Sequence, residues 1–380
     1  MTARKTGDVQ NLLDAVKAIG GTLQIGADAS DRDGRLSPDS IVALRASGLW
    51  QMRLCRELGG HELPITEQIE VLAALASQDT AAAWCTMIAN SAVAVLGATM
   101  PDAAIERIFA SGIPACSIVA APSGVARPVD GGYMLDGTWR LAGSIRDAQW
   151  VHACALVERD PSRVLPLAIP ACDVEVLDTW NVVGLGATGS NDFRLADYFL
   201  PAQLAGTENG PYRQVRGQRR YDRVDVAYLG SYEHLAFAMG VARRALGELR
   251  QVFTQPPAGH HVGDRELVQE QFGRAAVRLQ TIEALAESVY RRIDAAMLGD
   301  VEAWSGHDRH LPRVLAAQAS ELALECVQLA FRRSGMASLR RPNIHEKLLR
   351  DMSVAAIHTV VGDYAFATYT QSIIENGLWF

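Results

Sequence analysis

Apolar residues recur at helical spacing through the first hundred or so positions. They then give way to short alternating runs between turn signals, and return to helical spacing up to the C-terminus. In the first zone, residues 1–113, Ser37-Pro38-Asp39 opens a helix with a capping hydroxyl, a proline at the first helical position and an early acid. All three suit the unpaired amides and the dipole at a helix start. Gly59-Gly60 breaks the chain before a helix from Ile65 to Ser77, and Pro101-Asp102 restarts it after the apolar run Ala81 to Thr99. The zone is predicted to be an α-helical domain.

The middle zone, residues 114–205, carries Tyr133-Met-Leu, Val151-His-Ala-Cys-Ala-Leu-Val and Val164-Leu-Pro-Leu-Ala-Ile, separated by Gly131-Gly132, Gly137, Asp160-Pro161 and Pro170. That is sheet spacing with turns, and an antiparallel, barrel-like β domain is expected. Residues 206–223 form a connecting excursion whose basic run, Arg216, Arg219, Arg220 and Arg223, reads as a solvated loop ahead of a phosphate site. In the last zone, residues 224–380, helical periodicity fills four segments near 225–254, 264–298, 310–333 and 344–377. Helices of that length bury their faces against one another, so a four-helix bundle is expected and the fold class is α+β.

Of the 380 residues, 49% are hydrophobic, and 36 basic against 43 acidic side chains give a net charge of −7. Nothing here points to a nucleic-acid or membrane surface. Six cysteines are scattered without metal-ligand spacing and read as reduced core thiols. The N-terminus lacks an apolar signal core, and no run is predicted to reach the roughly 18 apolar residues of a membrane helix. A cytoplasmic protein is expected. His260-His261 and His307/His310 lie in expected loops without converging acids or cysteines, so no metal site is predicted.

Two motifs carry candidate chemistry. Gly184-Leu-Gly186-Ala-Thr-Gly189 satisfies the dinucleotide fingerprint, but the fingerprint demands a helix immediately afterwards. Ser190-Asn-Asp-Phe-Arg-Leu-Ala-Asp-Tyr-Phe-Leu-Pro201 alternates and ends in proline, so the segment is expected to be a glycine-rich turn between strands, offering amides and the hydroxyls of Thr188 and Ser190. Near the C-terminus, Arg350-Asp351 is followed by His358 in an apolar stretch. On a continuous helix, Asp351 and His358 fall on one face two turns apart. An inward histidine there is adjustable across neutral pH, although a core residue or a partner for Asp351 is the reading to prefer from the stretch alone.

Asp136-Gly-Thr-Trp139, Ala142-Gly-Ser144, Ala148-Gln-Trp150 and Trp180 with Val183-Gly-Leu-Gly-Ala-Thr-Gly-Ser-Asn-Asp192 together resemble the middle domain of the acyl-CoA dehydrogenase superfamily. The likeness extends to Asp79-Thr-Ala-Ala-Ala-Trp84 and to Glu346-Lys-Leu-Leu-Arg-Asp351, and so covers most of the chain from about residue 40. It implies helices, a β-barrel-like sheet and a four-helix bundle through which subunits pair into homotetramers, with flavin between sheet and bundle.

Individual residues choose between the two chemistries of that superfamily. The catalytic glutamate that follows the Arg-Asp pair in many dehydrogenases falls here on Thr359, whose hydroxyl is too weak a base for the α-proton of a thioester. Some dehydrogenases carry the acid on an earlier helix, where Glu233 and Glu248 lie. Pro122-Ser-Gly-Val-Ala126 leading into Gly131-Gly-Tyr, the Ala-Ala-Trp of the helical zone and His358 resemble the two-component, reduced-flavin-dependent (group D) monooxygenases more closely.

That branch implies an oxygenase component using FADH2 or FMNH2 from a separate NAD(P)H-dependent flavin reductase, with O2 as co-substrate. The reaction would pass through a C4a-hydroperoxide in a dry cavity and hydroxylate a small aromatic or amine substrate. By the same resemblance His358 and Ser144 are catalytic, Trp139, Gly143, Ser144, Thr188, Ser190 and Gln328 bind the cofactor, Trp84 and His358 line the substrate pocket, and Arg350 and Asp351 support it. This chain departs from the pattern at Gly143, where the family has the serine that contacts flavin N5, and at Gly186, where it has arginine. A flavin-dependent acyl-CoA dehydrogenase, or a non-catalytic flavin-binding protein of the same fold, are the alternatives.

Overall fold

The computed structural model describes residues 7–206, 213–224, 230–254, 265–300, 304 and 309–377. Their secondary structure is α1 (Gly7–Asp33), α2 (Pro38–Ala46), α3 (Ile65–Gln78), α4 (Thr80–Thr99), α5 (Asp102–Ile108), then β1 (Cys116–Val129), β2 (Gly132–Ala142), β3 (Trp150–Val157), β4 (Asp160–Pro170), β5 (Glu175–Leu177) and β6 (Asn191–Pro201). The helices α6 (Ser231–Thr254), α7 (Arg265–Leu298), α8 (Leu311–Arg333), α9 (Ile344–Ala355) and α10 (Tyr364–Glu375) follow. Two compact units result: Met1–Pro64, Trp84–Val182 and Gly186–Asp222 in one, and Ile65–Ala83, Val183–Leu185 and Arg223–Phe380 in the other.

In the first unit, α2 starts as its sequence dictates, with the Ser37 hydroxyl accepting from the Ser40 N–H and Pro38 at the first position. The six strands form one sheet in the order β4-β3-β1-β2-β6-β5. Four of its pairs are antiparallel, but β1 and β3 run parallel, which corrects the all-antiparallel expectation. The cause is the crossover after β2, whose Gln149 N–H reaches the Ala115 carbonyl and lays β3 alongside β1 in the same direction.

Trp139 and its cross-strand partner Phe193 stack at 5.1 Å in the core of the sheet. Gly124 is flat beneath them, since a Cβ there would stand 2.2 Å from the indole. The described part of the basic excursion is only partly solvated, with Arg223 exposed and the other three arginines half-buried. Arg216 donates to the carbonyls of Gly97 and Met100, Arg219 to that of Glu62 and Arg220 to that of Gln214, while Glu62 accepts the amides of Gln218 and Arg219.

In the second unit α8 packs on α6, α7, α9 and α10, and α3 lies on α6, where the missing Cβ of Gly240 admits the Ala73 carbonyl. Three of the four expected C-terminal helices are continuous. The fourth is broken into α9 and α10 around the 3-10 turn Thr359–Val361, where three β-branched residues and Gly362 disfavour helix. His358 therefore does not share a helical face with Asp351: α9 has ended, and His358 is extended at the N-cap of the turn.

Two helices, α4 and α8, are long and apolar enough to cross a membrane by composition, contrary to the sequence expectation, but 83% and 61% of those windows are buried. Packed helices of a folded core have this property. Cys172 is exposed, and the other five cysteines are buried and free, so the expectation of core thiols fails at one position.

Candidate active site

In the first unit, chain reversal after β2 sets the turn Gly143-Ser144. Ser144 adopts the left-handed conformation (φ 55°, ψ 27°), its N–H donates to the Thr188 carbonyl at 2.9 Å, and the Ser117 hydroxyl donates to the Gly143 carbonyl at 2.8 Å. The second of these partners is fully buried, so the turn is pinned from below. A left-handed non-glycine residue is strained by roughly 1 kcal/mol or more and persists where surrounding contacts fix it. Across from it runs α4. Between Ala81 and Gly97 every residue is buried except Trp84, Ile88 and Ser91, which are half-buried. Their spacing makes a single seam on one helical face, and the Ile88 side chain lies 3.2 Å from where a Gly143 Cβ would stand.

The expected site residues separate on this geometry. Ser144, Gly143 and Trp84 lie together on this seam and turn. Trp139 does not join them: it is fully buried, donates from Nε1 to the Cys154 carbonyl at 2.7 Å and serves the sheet core. Thr188 and Ser190 do not offer hydroxyls either. Their Oγ atoms are 2.9 Å apart and buried at 1% and 4% exposure, beneath the end of α1, so Thr188 acts on the turn through its carbonyl. Gly189 takes a φ of 52°, and a Cβ there would stand 3.0 Å from the Gly34 carbonyl, whereas a Cβ at Gly186 would meet the Asp31 carbonyl in ordinary contact at 3.4 Å. A strand, β6, follows this turn, as the rejection of the dinucleotide reading required.

In the second unit Asp351 is fully buried and accepts from Thr80 Oγ1 at 2.5 Å, Leu185 N at 2.6 Å and Lys347 Nζ at 2.7 Å. Arg350 pairs with Glu346 at 2.6 Å and its carbonyl abuts Gly184, where a Cβ would clash at 2.2 Å. These two residues thus fix Val183–Leu185 and the start of α4 to α9.

His358 is half-buried, and its ring stacks on that of buried His234 of α6 at 4.2 Å and 26°. Its Nδ1 accepts from the Val360 N–H at 3.3 Å, which leaves the proton of the neutral ring on Nε2. Burial, then the nearby Arg313, lowers the pKa of His358, while burial and then His358 hold His234 well below its ordinary value. Arg313 also donates to the Thr359 carbonyl at 2.8 Å and so holds the turn that carries the imidazole. His234 and Arg313 were not legible in the sequence, since only the fold brings α6 and α8 to this turn. Of the two alternative acids, Glu233 accepts from the Tyr232 hydroxyl at 3.2 Å and Glu248 pairs with Arg244 at 2.7 Å.

Burial also lowers the pKa of His152 in β3, to about 4. A histidine that is neutral when folded protonates below about 6.5 in the unfolded chain, so these rings cost nothing above that pH and destabilise the fold as pH falls towards their own pKa values. Melting temperature is expected to decline steadily between pH 7 and pH 5. A flat profile over that range contradicts the burial of neutral rings.

Gln328 lines a groove of about 290 Å³ on α7 and α8 together with Arg274, Arg278 and Arg332. His260, His261 and His307 lie outside the described residues, and among the described residues no three metal-ligating side chains converge.

Comparison with known proteins bears on both units. Residues 232–362 match the family described as "Acyl-CoA dehydrogenase, C-terminal domain". The pigment production hydroxylase of Rhodococcus sp. (strain ATCC 21145) is 25% identical over 91% of this chain and 92% of that one. The FADH(2)-dependent resorcinol hydroxylase, oxygenase component, of Rhizobium sp. (strain MTP-10005) is 29% identical over 50% of this chain and 47% of its own length. Among solved structures, XiaF from Streptomyces sp. in complex with FADH2 and glycerol shares the fold at a TM-score of 0.86, with 22% identity over 97% of this chain and 96% of that one. Residues 232–362 thus match the acyl-CoA dehydrogenase C-terminal domain family, in a chain similar to a pigment production hydroxylase and to an FADH(2)-dependent resorcinol hydroxylase.

Proposed function

We propose that this chain is the oxygenase component of a two-component flavin-dependent monooxygenase, which receives FADH2 or FMNH2 from a separate reductase and inserts one oxygen atom of O2 into a small aromatic or amine substrate. The observation that carries this reading is His358 stacked on His234, followed by Thr359 where thioester oxidation needs a carboxylate. A half-buried imidazole holding its proton on Nε2 is a hydrogen-bond donor of fixed direction, whereas abstraction of an α-proton requires a base. The dehydrogenase-like domain thus lacks, at this position, the group its namesake chemistry uses.

Bound reduced flavin would supply the electrons for oxygen insertion. The turn Gly143-Ser144 fits an isoalloxazine edge, because it presents the Ser144 hydroxyl beside a position where a Cβ would press on Ile88. Trp84 and Ile88 supply apolar walls that limit water at the reacting centre. His358 orients the substrate through Nε2–H. The arginines around Gln328 suit the phosphates of a flavin held by a second subunit, in keeping with a homotetramer paired through a C-terminal four-helix bundle.

With a flavin reductase, NADH and a panel of phenols, indoles and amines, aerobic turnover is expected to yield a hydroxylated product and to divert less O2 to hydrogen peroxide than the reductase alone. Bleaching of protein-bound oxidised flavin by an acyl-CoA without oxygen would instead show the dehydrogenase.

A further inference from the structure

Only one side of α7, the longest described helix, is covered by the rest of its unit. It packs on α3, α6 and α8, and its buried positions Ala275, Leu279, Ile282, Ala286 and Val289 share one helical side. The opposite side is exposed from Glu270 to Arg291, with Val277 62% and Leu285 43% accessible to solvent. On it Glu270 pairs with Arg274 at 2.6 Å and Glu287 pairs with Arg291, and all four side chains remain half or more exposed. These in-helix pairs hold the charges outward.

Along this side the charges of the two pairs run acid, base, acid, base, with Val277 and Ala284 between the pairs. When the helix is reversed about the point between Gln280 and Thr281, Glu270 falls level with Arg291, Arg274 with Glu287 and Val277 with Ala284. It is therefore complementary to an antiparallel copy of itself. In such a pair Glu270 of each copy meets Arg291 of the other at either end of a contact about 32 Å long, and the apolar positions meet in the middle. Parallel copies in register set like charge against like, while a slide of one turn brings Glu270 level with Glu287 or Arg274 level with Arg291. Exposed ion pairs add little affinity, but like charges opposed across an interface are costly, so the order of charges fixes orientation and register.

We propose that the exposed side of α7 is a docking surface for a second copy of this chain, packed antiparallel about a two-fold axis between Gln280 and Thr281, so that the same patch serves both partners. The groove that holds Gln328 is lined by Gln271, Arg274 and Arg278 of the same helix, and the second copy stands at its edge. The proposal refines the assembly part of the oxygenase reading and is tested without turnover, so its failure leaves the chemistry of that reading standing.

Sedimentation velocity of the full chain over a range of concentrations gives the test, and wild type is expected to sediment as a dimer or a dimer of dimers. The variant Glu270→Arg, Arg274→Glu keeps an in-helix ion pair but sets arginine against arginine across the two-fold. It is expected to raise the dissociation constant of this contact by about 10- to 100-fold. Glu287→Arg, Arg291→Glu does the same with acid against acid. Mixed in equal amounts, the two variants are expected to pair with each other at close to wild-type affinity, because each then meets the opposite charge.

A measurement that changes no charge stands beside this one. Val277→Cys chain mixed with Ala284→Cys chain is expected, on oxidation, to give a disulfide-linked pair that neither gives alone. Wild-type protein that stays monomeric overturns the proposal, as do charge-swapped variants that associate like wild type. A mixture that fails to recover pairing, or cysteine variants that do not cross-link, overturns it too. Recovery in the mixture also separates a lost contact from a misfolded chain, since misfolded variants do not rescue each other.

Discussion

Replacing His358 by alanine is expected to lower the rate of substrate hydroxylation by about 10²- to 10³-fold, the usual loss when one positioned donor is removed from a developing charge. Consumption of reduced flavin and O2 should continue, with the oxygen appearing as hydrogen peroxide. The reasoning follows from the tautomer. With Nδ1 accepting from the Val360 N–H, the ring acts through Nε2–H alone, and His234 on one side and the Arg313-held turn on the other fix where that proton points.

His358→Gln carries an N–H at nearly the same reach and is expected to recover part of the coupling. Hydroxylation should hold as pH falls to 6.5 and be lost only further below it, because burial depresses the pKa values of the stacked pair, and protonation at Nδ1 then breaks the Val360 contact. Comparison of product and peroxide yields across pH checks both statements. An alanine variant that keeps its coupling removes His358 from the reacting centre.

The second large effect belongs to stability. Asp351→Ala strands the ammonium of Lys347, which is 8% exposed, and strips the acceptor from Thr80 Oγ1 and the Leu185 N–H. Removing one partner of a buried ion pair costs about 3–5 kcal/mol, which for a unit of this size corresponds to a fall in melting temperature of roughly 10 °C. The double variant Lys347→Met, Asp351→Leu should lose much less, since neither charge is then left alone. Thermal denaturation of the three proteins measures this. A single variant that melts within about 2 °C of wild type would show that Asp351 does not organise α9.

The helical, sheet and helical succession was readable because its signals are local: the periodicity, the Ser37-Pro38-Asp39 cap and the strand-then-strand setting of the glycine turn each act within a few residues. Where the reading failed, tertiary packing decided. The parallel pairing of β1 and β3 depends on where a crossover lands, and the break between α9 and α10 turned on three β-branched residues inside an otherwise helical pattern. The site was legible in part. His358 and the Gly143-Ser144 turn stood out because each departs from a family pattern. Trp139, Thr188 and Ser190 have buried side chains, and sequence does not distinguish a side chain facing a cofactor from one facing the core. His234 and Arg313 were invisible, as their meaning lies entirely in neighbours distant along the chain.

Isotope labelling tests the oxygenase reading most directly. Protein supplied with reduced flavin under oxygen-18 gas, with the substrate that gives product in the panel assay, is expected to place one labelled oxygen atom in each product molecule. Product whose new oxygen comes from water, or reduced flavin that yields only labelled hydrogen peroxide with every substrate offered, would contradict it.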